Sequence, residues 1–428
     1  MNNGKLTLEV RRRTVPEWMA FWIALFPLLT GTFFSLANLP TALKYTLDVG
    51  WLSLLLIMMF SKGLKKRKDT RPLLLLVLFF FVFSLVVYLF RYQSVYYFFW
   101  GARNSFRFYV FFFVAIVVFQ KRDVDSFLKI FDFAFWVNLI MTFFQYFVLG
   151  YSGDYLGGIF GVEKGCNAYT IIFITIVVGV SMLRYLSHKE SAFLCLLKSA
   201  SSLVIAALAE LKFFFVIFIL IVVISFFGTS FSWKKVVIMV TSMVLLMVAS
   251  MVLVSLFEFE SFLSIDQIWQ FATQENYSSQ ETVNRLSAIP TLAKTILTDP
   301  IDRIFGLGLG NCDASTFALV NTPFYERFFY LRYNWFSCSF VFLEQGYIGV
   351  IANLAFFVVY MVLIRKRLKS VDGEALLCYL GIIMALLSIT LFFYNCSLRA
   401  ECAYMVYLVM AFPFIGSSQQ PKDEKILV

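Results

Sequence analysis

Charge and histidine are the two things this chain has least of. Its 428 residues include one histidine, His188, and only 14% are Asp, Glu, Lys or Arg. With 61% hydrophobic residues and a mean hydropathy of +0.81, that shortage of charge excludes an ordinary soluble domain of this length. No two-residue alternation runs through the apolar stretches, which excludes a membrane β-barrel. No small-residue cleavage site follows the first apolar run, so it reads as a retained span and not as a removable signal peptide. The seven cysteines also exclude something. Cys195 and Cys378 fall in apolar runs and the others lack the close spacing of a metal site, so neither a metal, a cofactor nor a disulfide is expected.

What is present is a series of uniformly apolar runs, each of the length a helix needs to cross hydrocarbon. Backbone N–H and C=O groups find no water there, so such runs must span as helices. Spans are expected near 18–38, 42–61, 72–90, 106–120, 127–149, 167–186, 192–209, 213–229, 236–257, 336–364, 375–393 and 400–416. The expected fold is therefore an all-α polytopic membrane protein of about 12 helices, a single membrane domain over 1–428 with one large loop over 258–335. If every span is real, Arg11–Arg13, Lys65–Lys68, Lys121-Arg122, Lys234-Lys235 and Arg365–Arg367 all fall on one side. Positive residues resist translocation, so that side is the cytoplasm and both termini are inside. The net charge of +10 is mostly this topological signal, and no nucleic-acid partner is implied.

The outer face is then unusual, because Arg91, Arg103, Arg107, Arg285, Arg303, Arg327, Arg332 and Arg399 map to it. Any one of them can be read as a partner for Asp299, Asp302, Asp313, Glu326 or Glu401, or as snorkelling to lipid headgroups. As a group they point to an anionic ligand handled from outside, since the guanidinium fork grips phosphate or carboxylate oxygens in pairs. The stretch from Glu258 to Trp335 is too long for a connector and reads as a functional cap. Within it, Leu286, Ile289, Leu292, Ala293 and Ile296 recur three or four apart, so a helix on the bundle rim is expected, with Arg285 near its start. Thr298-Asp299-Pro300 stops that helix, and Gly306-Leu307-Gly308-Leu309-Gly310-Asn311 follows. Alternating glycines there, and Gly157-Gly158-Ile159-Phe160-Gly161 in another outer loop, permit close approach of backbone to a ligand or serve as hinges.

The order of several short strings resembles the O-antigen and capsule repeat-unit polymerases (Wzy-type), within the group that includes the O-antigen ligases. These are the Gly-rich loop ending in Gly165-Cys166-Asn167-Ala168, then Glu210-Leu211-Lys212, then Asn284-Arg285-Leu286. The glycine run at 306–311 and Glu344-Gln345-Gly346-Tyr347-Ile348-Gly349 complete the series. The resemblance implies a metal-independent membrane glycosyltransferase of the C type in the bacterial cytoplasmic membrane, with its active site on the outer side. Its implied partner is an oligosaccharide on polyprenyl (undecaprenyl) diphosphate, with membrane lipids and possible association with a flippase and a chain-length regulator. The ligase branch carries a histidine shortly before the span that begins near Glu344, whereas this chain reads Arg332-Tyr333-Asn334-Trp335-Phe336-Ser337. That departure favours polymerase over ligase.

In the implied reaction a sugar hydroxyl on one lipid-linked unit attacks the anomeric carbon of another, and the lipid diphosphate leaves. Arg285 is the first candidate to stabilise the leaving diphosphate, with Arg103 and Arg107 next and Arg91, Lys212, Arg327 and Arg332 behind them. Glu210 and Glu344 are the candidate bases, with Asp313 as a third; Glu210 also reads as a partner of Lys212, and Glu344 as a helix anchor. Gly157, Gly158, Gly306, Gly308 and Gly310 are the candidate ligand-approach glycines. A flippase or other transporter is the rival reading, and a polysaccharide ligase the third.

Overall fold

The computed structural model describes residues 13–60, 67–228, 274, 282–313, 320–369 and 375–415, with scattered positions between 233 and 251. Most of the expected span at 236–257, the first part of the large loop, and Arg11, Arg12, Lys65, Lys66, Lys234 and Lys235 lie outside the described residues.

Helices α1 (Val15–Thr30), α2 (Tyr45–Phe60), α3 (Arg71–Phe90), α4 (Val95–Val118) and α5 (Lys121–Phe147) open the fold. They are followed by α6 (Asn167–Leu186), α7 (Ala192–Leu208) and α8 (Lys212–Phe227). Among the described residues of the large loop there are three short helices, α9 (Ala288–Thr295), α10 (Pro300–Phe305) and α11 (Pro323–Phe328). The chain closes with α12 (Ser337–Leu368), α13 (Ala375–Tyr394) and α14 (Ala403–Ala411), the last extended by a 3₁₀ turn over Phe412–Phe414. Seven of the described helices are long and apolar enough to cross a membrane, α1 being lengthened to Leu36 by a π-helical segment, and three more are apolar but shorter. This is a polytopic helical membrane protein.

Local signals explain most boundaries. The Glu17 carboxylate accepts the Thr14 N–H at 2.7 Å to open α1, while the Asp299 and Thr322 side chains cap α10 and α11. Pro300 and Pro323 follow those caps at the position where a missing N–H costs least. Helix α4 is the clearest departure from expectation: it begins at Val95 rather than near 106. Arg103, Asn104 and Arg107 lower the hydropathy of its first half, yet they sit inside the helix and not in an outer loop. Arg107 lies 2% exposed. Ionisable side chains at such depth face the bundle interior, where partners can be built.

The bundle is organised around α14, which is apolar on every side and wholly buried. It packs on α4, α13 and α1; α6 packs on α7, α8 and α13; α12 runs along α13 and α3. The Tyr360 hydroxyl donates to Met410 O and the Tyr109 hydroxyl to Asn353 Oδ1, which satisfies polar groups that hydrocarbon would leave stranded. Of the basic residues assigned to one face by sequence, Arg13, Arg67 and Arg367 lie at one end of the described bundle. There Arg67 donates to Ile116 O at 2.9 Å and to Phe414 O at 2.5 Å, closing the carbonyl ends of α4 and of the turn after α14. Arg13 pairs with Asp123, and Arg367 with Asp69.

At the opposite end the described part of the large loop builds a second apolar core with the first half of α12. Val283, Ala288, Leu292 and Leu297 pack there with Cys312, Tyr333, Phe336, Phe340 and Leu343. The rim helix expected over 282–297 is thus present as the shorter α9, with Arg285 in the turn before it. Phe340 and Leu343 belong to a span, so the loop is fixed to the membrane helices and does not hang from them.

Candidate active site

The site is built on a broken helix. Gly346 interrupts α12 with φ 62° and ψ −161°, a conformation that glycine alone adopts without strain. The break releases the carbonyls of the preceding turn, and the glycine-rich segment takes them. Leu307 N–H donates to Leu343 O at 2.8 Å and Gly308 N–H to Glu344 O at 2.9 Å. Gly310 N–H then donates to the Glu344 carboxylate, at Oε1, at 2.9 Å. Arg91 closes the near side of the same segment, bonding Asp302 at 2.5 Å and Gly306 O at 2.9 Å, and Gln93 donates to Leu309 O.

Glu344 is thereby held at 1% exposure on a backbone break, with Oε1 hydrogen-bonded and no hydrogen-bond donor to Oε2 among the described residues. Arg399 Nη1 lies 3.9 Å from that Oε2, and Arg399 Nη2 lies 3.4 Å from Asp313 Oδ2. Asn104 of α4 donates to the same Asp313 oxygen. Arg107 donates to the carbonyl of Arg399 at 2.9 Å and stands 3.7 Å from Glu401. Glu401 is shared by the Tyr169 hydroxyl at 3.0 Å and the Lys44 ammonium at 4.0 Å. Arg103 completes the group with a two-point fork on Asp48, at 2.9 and 2.7 Å.

Four cations, Lys44, Arg103, Arg107 and Arg399, are therefore interleaved with four carboxylates, Asp48, Asp313, Glu344 and Glu401. The cluster is close to neutral as a whole and polarised locally. Burial alone would raise the Glu401 carboxyl, which precedes α14. The charges of Arg107 and Lys44, a backbone donor and the Tyr169 hydroxyl outweigh burial and hold it below the usual carboxylate range. A carboxyl that ionises at lower pH when folded contributes stability above its unfolded-state pKa and loses it as pH falls through the folded one. Glu401→Gln should accordingly lower the thermal midpoint in detergent at neutral pH, and the gap to the natural protein should close on acidification. A gap independent of pH would mean that packing, not charge, holds this turn.

A neighbouring group lies beside the start of α12. The Arg285 guanidinium stands 4.6 Å from the Tyr394 ring centroid and 5.9 Å from that of Phe336, while Phe213 stacks on Tyr394 at 4.4 Å. Lys212, next to Phe213, lies within electrostatic range of both Glu210 and Arg285. Glu210 adopts a left-handed backbone conformation, φ 53°, in the turn that joins α7 to α8, and its carboxylate rests against Gly153. Arg285 faces the Phe336 ring, and Arg399 covers Phe340 at 3.6 Å. Those two rings are four residues apart, about 6 Å of helix rise.

No family model matches the chain, and no curated protein matches it either.

The structure thus gathers Glu344, Arg103 and Arg107 in one cluster and Glu210, Lys212 and Arg285 in a second beside it. Arg91 clamps the glycine-rich segment, with its guanidinium engaged by Asp302 and a carbonyl. Arg327 is exposed against Phe328, and Arg332, with φ 53°, lies near Phe329 and Trp335 on the rim. The candidate glycines give close approach of the chain to itself. A Cβ at Gly306 would strike Gln345 N, at Gly308 the Gln93 amide, and at Gly310 the Tyr97 carbonyl. At Gly157 it would strike Cys166, and at Gly158 Asn138. The space beside each is filled by protein atoms, which is the physical reason they are glycine.

Residues that sequence reasoning left out of the site are Lys44, Asp48, Asn104 and Tyr169, while Arg399 and Glu401 were read only as a member of the arginine group and a partner for it. Arg103, Asn104 and Arg107 at three- and four-residue spacing would have marked one face of a buried helix, had the span been allowed to start earlier. For Lys44, Asp48 and Tyr169 no sequence signal was available, because their partners come from more than 50 residues away.

Proposed function

We propose that this protein is a polymerase of lipid-linked oligosaccharide repeat units, moving a growing glycan from polyprenyl diphosphate to the next lipid-linked unit at the outer face of a bacterial cytoplasmic membrane. The observation that carries this reading is Glu344, a buried carboxylate held on a helix break with one oxygen lacking a hydrogen-bond donor among the described residues, next to a group of cations. Glu344 takes the proton of the attacking sugar hydroxyl as that oxygen bonds to the anomeric carbon. The bond from that carbon to the diphosphate oxygen breaks, and its electron pair stays on the diphosphate. Arg285 and Lys212, backed by Tyr394 and Phe336, receive the charge that develops there. Both steps are proton and charge transfers that need no redox partner.

The fork geometry of Arg285 is open to test. Arg285→Lys keeps the charge but loses two-point contact, so chain growth should fall by about 10-fold or more while membrane insertion is unchanged. Full polymer from Arg285→Ala would remove this residue from the reaction.

A transporter is the second reading, because a discontinuous helix carrying a buried carboxylate at its break is also how ion-coupled carriers build a binding site. Deleting the gene in its host separates the two. Accumulation of a single lipid-linked repeat unit on the outer leaflet supports polymerase, and units trapped on the inner leaflet support a flippase. Polymer stranded on its carrier lipid indicates ligation, and no change in glycans indicates a solute carrier.

A further inference from the structure

Arg399 stands between two buried carboxylates and has little room to move. Its guanidinium lies over Phe340, and its carbonyl is bonded to Arg107. The turn that carries it is anchored to α12: Asn395 Oδ1 accepts from Ser397 N and Oγ, and Asn395 O accepts from Ser337 N and Oγ. Its two terminal nitrogens are directed one at Asp313 and one at Glu344. The backbone N–H groups of Gly310, at 2.9 Å, and Cys312 face the Glu344 carboxylate, its Oε2 has no hydrogen-bond partner among the described residues, and Arg399 is the cation beside it, so its ionised form depends on that positive charge. The other ionisable groups facing it are Asp313 and, behind, Cys312 and Tyr333, none of them cationic.

We propose that Arg399 is the positioning residue that sets the protonation state of Glu344, its charge being divided between Glu344 and the competing carboxylate Asp313. The assignment rests on reading Glu344 as the base of the glycosyl transfer, because a base must be ionised before it can accept a proton. Two signs follow from the geometry. Loss of the cation leaves two buried carboxylates together and drives Glu344 toward its neutral acid. Loss of Asp313 gives Glu344 the whole of the guanidinium and removes a repelling charge, which favours the carboxylate. Asn104, which donates to Asp313, belongs to the same balance.

The test is an infrared titration of the purified full-length protein in lipid nanodiscs, following the protonated-carboxyl band that disappears in Glu344→Gln. Arg399→Gln should move the midpoint of that band upward by about 1–3 pH units, and Asp313→Asn should move it downward. Arg399→Lys should stay closer to the natural protein than Arg399→Gln does. If Arg399→Gln is not recovered folded, the Asp313→Asn and Arg399→Lys arms decide the matter with the same signs. An unmoved midpoint in Arg399→Gln, or in Asp313→Asn where the first cannot be made, overturns the assignment. Because the titration uses no substrate, it is independent of the polymerase reading. A shifted midpoint in a protein whose deletion leaves glycans unchanged keeps Arg399 in this role and discards the glycosyl transfer. An unmoved midpoint in a protein whose chain growth needs Glu344 does the reverse. Where both hold, the acid limb of chain growth against pH moves with the band.

Discussion

Glu344→Gln is expected to give a protein that inserts, stays monodisperse in detergent and adds repeat units at least 100-fold more slowly than the natural chain. The substitution is nearly isosteric. A glutamine oxygen can still accept the Gly310 N–H, so the join between the glycine-rich segment and the helix break survives. Arg399 keeps Asp313 as a counter-charge. Removing a buried carboxylate also removes its desolvation cost, so the thermal midpoint should be unchanged or higher. What is lost, besides one of the two counter-charges of Arg399, is acceptance of a proton, which an amide cannot supply. Polymer length and rate are measured on gels and by mass spectrometry after complementing the deletion strain, with the folded fraction read from size exclusion. Normal polymer from Glu344→Gln would leave the buried carboxylate as a structural anchor and move the search for a base to Glu210 or Asp313. Loss of the folded peak together with polymer would say the same, since the fold would then need the charge.

Much of this arrangement can be read from residue order, and the part that cannot has a common cause. The apolar runs translate into helices because hydrocarbon leaves the backbone no alternative, and most expected spans correspond to a described helix within a few residues at each end. Glu344 stands out as an ionisable residue near the start of an apolar span, and Arg285 as one that opens the amphipathic stretch of the large loop. Hydropathy failed at α4, where Arg103, Asn104 and Arg107 made a buried helix look like a loop. A window average measures affinity for lipid, and this face of α4 meets protein charges instead. Arg91 and Arg103 show the second limit. A sequence shows that a guanidinium is present, but whether Asp302 or Asp48 occupies it is decided by segments far away in the chain. The glycines show the third: alternation told of close approach, and only the packing told of approach to what.

Gly310→Ala is expected to be the most damaging glycine-to-alanine change among the described residues. Gly310 has φ +85°, and an added Cβ would overlap the Tyr97 carbonyl and stand 3.0 Å from Gly101 N. Both atoms belong to the backbone of α4, which cannot rotate away as a side chain does. From the opposite side, a Cβ on Gly101 would overlap Gly310 N. The two glycines therefore bring the glycine-rich segment onto α4 with nothing between them, and the same Gly310 N–H is the donor to Glu344. Separating them moves Gly310 off the carboxylate and draws Asp313, three residues on, away from Asn104 and Arg399. Gly165→Ala is the control: its φ is +90°, but nothing lies within 4 Å of the added carbon. It should cost only the left-handed penalty, about 1–2 kcal/mol. Gly101→Ala, which carries no such penalty, should nevertheless cut the folded yield more than Gly165→Ala, and Gly310→Ala, which combines both effects, most of all. If Gly101→Ala is tolerated as well as Gly165→Ala, the backbone contact between α4 and the glycine-rich segment is looser than it stands here, and the placement of Glu344 depends on the helix break at Gly346 alone.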